Sequence, residues 1–142
     1  MSSRHRSREL AVQMSFQWEM HPESMAQSAA IDRFWGGQAR SPDENRPFFE
    51  LLVRGIANHL PQIDSRIEES LKNWKLSRVA KVDLAILRVA VFEMLFSDDP
   101  EKPDLAVSIN EAVEMAKKFG SADSASFVNG VLDSIAQSLK KA

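Results

Sequence analysis

Cysteine is absent from the chain, which excludes disulfides and thiolate metal sites and suits a reducing compartment. Tyrosine is also missing and there are only five glycines, so little material exists for a succession of tight β-turns. No apolar run is long enough to cross a bilayer, which takes roughly 20 residues. The most apolar stretch, Leu84 to Phe96, is broken by Arg88 and Glu93. A secretory signal needs an apolar segment soon after a basic start, but Arg4, Arg6 and Arg8 run into Glu9 and Gln13 instead. Internal repeats and low-complexity segments are absent too. The expectation is a cytoplasmic protein with no membrane contact.

What is present is the ordinary balance of a globular domain. The 142 residues are 44% hydrophobic and 27% charged, enough to close a single core. The net charge of −2 hides an asymmetry: the first eight residues hold three arginines and no acid, so the remainder carries −5. A uniformly basic nucleic-acid binder is thereby excluded. The pattern is a short basic arm on an acidic body, a way of reaching a phosphate backbone. The expected organisation is a flexible arginine-rich arm over residues 1–8 and one helical domain over residues 9–142.

Apolar spacing is helical almost throughout, with no strand of convincing alternation. A first helix over Ser7 to Met20 places Leu10, Ala11, Met14 and Trp18 on one face and Val12, Phe16 and Met20 on another. Two apolar faces mean two packing partners, or one face kept for something outside. A second helix spans Ser24 to Trp35, stopped by Gly36 and Gly37, and residues 36–47 read as an exposed loop. Pro47 opens a third helix with Phe48, Leu52, Ile56 and Leu60 in register; Pro61 ends it. A fourth turns Ile63, Ile67 and Leu71 inward as far as Trp74.

The fifth helix, Ser77 to Phe96, is apolar around nearly its whole circumference and belongs at the centre of the fold. After a turn over Asp98 to Pro103, a sixth runs from Leu105 to Phe119, closed by Gly120, with Lys117 and Lys118 suiting the dipole of its last turn. The seventh starts at Asp123 or Ser124 and carries Phe127, Val128, Val131, Leu132, Ile135 and Leu139 inward. Gly130 inside it costs about 1 kcal/mol against alanine and implies a close helix crossing.

Little in the chain carries chemistry. His5, His21 and His59 are far apart and share no helical ligand spacing, so no metal site is expected. The glycines form neither a phosphate loop nor a dinucleotide fingerprint, and no serine sits in a nucleophile elbow. Surface helix positions explain Glu68, Glu69, Glu111 and Glu114 as well as catalysis would. The chain reads as a non-enzyme without a cofactor. Arg4, Arg6 and Arg8 remain, as a solvated terminus or as groups that pair with phosphates and stack on exposed bases.

Several segments carry a resemblance. Arg4-His5-Arg6-Ser7-Arg8-Glu9-Leu10-Ala11-Val12-Gln13 is followed by Phe16-Gln17-Trp18-Glu19. Val82-Asp83-Leu84-Ala85-Ile86-Leu87-Arg88-Val89-Ala90 and Phe92-Glu93 form a middle block. Ile109-Asn110-Glu111-Ala112-Val113-Glu114-Met115-Ala116-Lys117-Lys118-Phe119-Gly120 leads to Ser124 and then Phe127-Val128-Asn129-Gly130-Val131-Leu132-Asp133. In content and order these blocks resemble the NusB family of bacterial transcription antitermination factors, over nearly the whole chain.

The resemblance implies an all-α fold of about seven helices in two antiparallel three-helix bundles sharing one core. It implies pairing with NusE, a small-subunit ribosomal protein, and recognition of boxA as single-stranded RNA. It further implies assembly of an antitermination complex on RNA polymerase in ribosomal RNA operons. On the matching positions, Arg4, His5, Arg6 and Arg8 correspond to the family's RNA-binding arm, and His5 stands where arginine is common. Phe16 stands where tyrosine is common, keeping a ring and losing the hydroxyl. Phe119, Asp123 and Phe127 correspond to the turn and helix start that line the RNA face. Asp83 and Arg88 correspond to positions near the NusE contact.

Each position has a plainer reading. Phe119 and Phe127 serve equally as core rings, Asp123 as an N-cap, and Arg88 as a buried partner of an acid on the sixth helix. Asn110 and Asn129 read better as binding buried backbone at helix crossings than as RNA ligands. Two other functions stay open. A NusB-like domain also precedes the catalytic domain of certain ribosomal RNA cytosine methyltransferases, although here no glycine-rich methyl-donor motif follows. The third reading is a structural helical module that pairs with its own copy as a homodimer.

Overall fold

A computed structural model describes residues 3–19, 21–72 and 75–140. Met20 and Trp74, assigned above to the first and fourth helices, lie outside them. All regular structure among the described residues is helical: α1 (Arg4–Gln17), α2 (Ser28–Phe34), α3 (Arg46–Asn58), α4 (Leu60–Ser70), α5 (Lys81–Val91), α6 (Leu105–Phe119) and α7 (Ser124–Lys140). Short 3-10 turns span Pro22–Ala26, Asp43–Asn45 and Leu76–Arg78, and π turns follow α2 (Trp35–Ala39) and α5 (Phe92–Phe96). None of the helices is long and apolar enough to cross a membrane.

The apolar circumference of α5 determines the architecture. Every residue from Asp83 to Val91 is buried, and α5 packs against α1, α3, α4, α6 and α7. On one side lie α1, α2 and α3; on the other, α4, α6 and α7. Both groups close on one core that includes Leu10, Phe49, Ile56, Ile67, Leu87, Met115 and Leu132. This is the expected pair of three-helix groups sharing a centre. Phe34 of α2 stacks on Phe49 of α3 with ring centroids 5.3 Å apart, joining the first group.

Proline and glycine act differently from the sequence expectation at several points. Pro61 does not end the third helix but lies in the first turn of α4, where its missing N–H costs nothing. His59 makes the elbow. Its N–H donates to the Gly55 carbonyl at 3.1 Å while its own carbonyl accepts from Ile63 at 2.9 Å, so it closes α3 and opens α4. Gly36 and Gly37 do not stop α2 in a left-handed conformation; they lie in the π turn, and the left-handed residue is Arg40, at φ 43°. Gly130 is exposed and a Cβ there meets nothing within 4 Å, so the expected close helix crossing is absent. The close crossing is at Gly55, where a Cβ would fall 2.1 Å from Cζ of Phe92.

The expected arm is the largest correction. Residues 4–8 are the first turns of α1, not a segment separate from the domain. The Ser3 hydroxyl caps the helix by accepting the Arg6 N–H at 3.2 Å. Asn45 then fixes this end to the turn before α3: its side-chain oxygen accepts the Ser3 N–H at 2.5 Å, and its carbonyl accepts the Ser7 hydroxyl at 2.8 Å. With these partners the backbone gains enough to offset its ordering entropy, which three arginines alone do not supply.

Candidate nucleic-acid interface

Residues four apart lie on one helix face, so α1 divides its charges. Arg4 and Arg8 share the face toward Phe48, their guanidinium carbons 4.1 and 5.2 Å from the ring centroid. Arg8 is buried, 5% exposed, and holds Glu93 in a two-point pair, Nε to Oε1 at 2.6 Å and a terminal nitrogen to Oε2 at 3.0 Å. Glu93 is presented by the π turn after α5, which closes through the Ser97 N–H on the Phe92 carbonyl at 3.0 Å. Arg8 therefore braces α1 to the central helix. Arg4, nearer solvent, pairs with Asp99 at 2.9 Å and Glu101 at 3.3 Å.

A second face holds His5, Glu9 and, three turns from His5, Phe16. His5 bridges two carboxylates, Nε2 lying 3.2 Å from Glu9 and Nδ1 2.5 Å from Glu111 of α6. Glu9 is buried and takes Arg6 at 3.1 Å and Lys118 at 2.9 Å. Burial alone raises the Glu9 carboxyl. Hydrogen bonds from Lys118 and Arg6, with the charges of Lys118 and His5, outweigh it and hold the group below its ordinary value. Arg6 also donates to the Ala39 carbonyl at 3.3 Å, tying α1 to the turn after α2. Phe16, further along, is 45% exposed, one of two large apolar side chains so open among the described residues.

The remaining expected residues are more scattered. Phe119 is half-buried at the end of α6, with the Lys118 ammonium 5.4 Å from its ring centroid. Asp123 is exposed at the N-cap position of α7, its carbonyl accepting the Phe127 N–H at 3.1 Å. Phe127 is half-buried and lines a shallow groove with Leu71, Lys72 and Gly130. Asp83 and Arg88, assigned to a partner contact, are both buried, at 7% and 5% exposure. Arg88 is held by both oxygens of Asp64 at 2.9 Å and by Glu19 at 3.0 Å, so its partners come from α4 and the turn after α1 rather than α6. Asn110 and Asn129 are exposed and bind no buried crossing.

Sequence reasoning passed over Glu9, Glu93, Phe48 and Lys118. The spacing of Glu9 from His5 and Arg6 was a legible signal for helical ion pairs. Glu93 left none, since it lies 85 residues from Arg8.

Residues 5–137 match the NusB family. The chain belongs to that family. It is 45% identical to the transcription antitermination protein NusB of Geotalea daltonii, over 98% of this chain and 97% of that protein. The T. maritima NusB structure superposes with a TM-score of 0.79 at 32% identity, covering 96% of this chain and 93% of that one. A structure of antitermination factors NusB and NusE in complex with double-stranded RNA shares the fold, with a TM-score of 0.76 at 22% identity over 95% and 96% of the two chains. The NusB family match runs from His5, the second residue of α1, through most of α7, and so includes Arg8, Glu9 and Phe16.

Proposed function

We propose that this chain is a non-enzymatic transcription antitermination factor that pairs with NusE and binds boxA RNA as an unpaired strand. In this reading the pair recruits an antitermination complex to RNA polymerase in ribosomal RNA operons, in the cytoplasm. The observation that carries it is the stripe of His5, Glu9 and Phe16 on α1, flanked by Arg4, Arg6 and Lys118. An exposed ring on the same helix face as a cluster of cations three turns away suits single-stranded RNA, whose bases stack while its phosphates pair. The name carried by the relatives supports antitermination, and the NusB–NusE complex with double-stranded RNA supports NusE and RNA as partners. Phe119, Asp123 and Phe127 extend the RNA face in this proposal.

The partner is assigned to the opposite edge of α5. There Glu19, Glu68, Lys75, Lys81 and Arg88 line a groove, and Asp83 opens the helix beside it. Asp83 and Arg88 act here by shaping the surface, since both are buried.

Fluorescence anisotropy of labelled boxA RNA, with and without NusE at two salt concentrations, tests the reading. Binding by the chain alone is expected to be weak, with a salt slope on the order of −2 for three cations on a single strand. NusE should tighten it markedly, and Arg6→Ala, Lys118→Ala and Phe16→Ala should each weaken it. A duplex of the same length should bind less well. Absence of RNA binding with NusE present overturns the proposal, as does tight, salt-steep binding by the chain alone.

A further inference from the structure

We propose that Glu111 limits the RNA affinity of the α1 face by occupying its cations in advance. This rests on the RNA-binding reading above. Every cation at this end of α1 already has a carboxylate: Arg4 has Asp99 and Glu101, His5 has Glu9 and Glu111, and Arg6 has Glu9. Arg8 has Glu93 and Glu111, and Lys118 has Glu9. The permanent cations are four and the carboxylates five, so this end of α1 carries no net positive charge even with His5 protonated. The residue types make a basic arm; the folded chain neutralises it.

These carboxylates are not equivalent. Glu9 and Glu93 are buried, with side chains 4% exposed, and their charges are fixed parts of the fold. Asp99 is nearly as enclosed, at 10%. Glu111 and Glu101 reach solvent, at 25% and 78%, and are the acids that an arriving phosphate meets. Glu101 acts only on Arg4, which Asp99 holds anyway.

Glu111 lies between His5, at 2.5 Å, and Arg8, at 3.7 Å. Both ring nitrogens of His5 face carboxylates, and only the imidazolium donates to both. A phosphate at this point must therefore displace Glu111 from a charge-assisted bond or bind beside its charge. Either way Glu111 opposes RNA by like-charge repulsion and by competition for the same donors.

The test is anisotropy of the boxA RNA with NusE present, comparing the natural protein with Glu111→Gln and Glu114→Gln. Glu114 lies one turn along α6, pairs with Lys117 at 3.4 Å, and changes the net charge by the same amount. Glu111→Gln is expected to tighten binding about threefold to tenfold at low salt, the gain shrinking as salt screens it. Glu114→Gln should change affinity by less than about twofold. Glu111→Ala serves if Glu111→Gln folds poorly, while Glu101→Gln, which bears on Arg4 that Asp99 holds anyway, should stay within about twofold.

RNA binding by the natural protein with no advantage of Glu111→Gln over Glu114→Gln overturns this proposal alone. An advantage that persists undiminished at high salt overturns it too. No RNA binding by any of these proteins overturns the functional reading, and this proposal with it.

Discussion

Replacing Arg8 by alanine separates a folded brace from a free RNA-binding arm. The guanidinium is 5% exposed and its partner Glu93 is 3% exposed, with contacts at 2.6 and 3.0 Å. Removing one member of such a pair strands a buried charge, at a cost of about 3–5 kcal/mol. Loss of the cation from the Phe48 face adds roughly 0.5–1 kcal/mol. At roughly 3 °C per kcal/mol for a chain of this size, Tm should fall by about 10–18 °C. Thermal melts followed by far-UV circular dichroism measure this, with Arg6→Ala for comparison. Arg6 makes a more exposed pair with Glu9, and its removal should cost about 1 kcal/mol or less. The double variant Arg8→Met/Glu93→Met should regain most of the loss, because no unpaired charge remains. An Arg8→Ala protein that melts with Arg6→Ala while losing RNA affinity would refute the brace and restore the arm.

The other predictions concern glycines and one carboxylate. Gly55→Ala should lower stability by about 1–3 kcal/mol in denaturant titrations, since the new Cβ falls 2.1 Å from Phe92 Cζ, and Phe92→Leu in the same chain should recover part of it. Gly130→Ala should instead raise stability by about 0.5–1 kcal/mol, because the position is helical with open space around it; a loss would mean a neighbour not visible in this packing. Glu9→Gln should cost about 1.5–3 kcal/mol at neutral pH through weakened charged hydrogen bonds. The Glu9 carboxyl is depressed below 4.5 in the fold, so its contribution is present above that value and disappears as pH falls through the folded pKa. Melts of the natural protein and Glu9→Gln should therefore differ at pH 7 and converge well below pH 4.5, and a pH-independent gap would count against the ion pairs.

The helices were legible because burial imposes a 3.6-residue period on apolar side chains, and the central place of α5 followed from its lack of a polar face. The limits of reading appear where a residue's partner is distant in the chain. Arg4, Arg6 and Arg8 look alike in sequence and differ wholly in the fold. Arg8 meets Glu93, Arg4 meets Asp99, and Arg6 keeps to Glu9 and the Ala39 carbonyl. Only the last ion pair is local. Arg88 was recognisable as a buried partner of some acid, but no spacing identifies Asp64 and Glu19 as the acids. Gly130 does lie inside a helix, but the close approach it suggested occurs at Gly55, where the opposing ring is Phe92 of the π turn after α5.

These differences bear on how one helix can both hold the fold and meet RNA. In the RNA-binding reading proposed above, the two tasks fall on different faces of α1. The Arg4–Arg8 face is committed to Phe48, Glu93 and Asp99, so its charge stabilises the domain and little of it is left for phosphate. The His5–Glu9–Phe16 face has its cations paired at one end and an exposed ring at the other. Stacking on Phe16 then supplies contact that salt does not screen, while the paired cations contribute only as far as RNA displaces their carboxylates. A protein built this way should depend on a partner for affinity and show little salt dependence by itself, which a uniformly basic arm would not do.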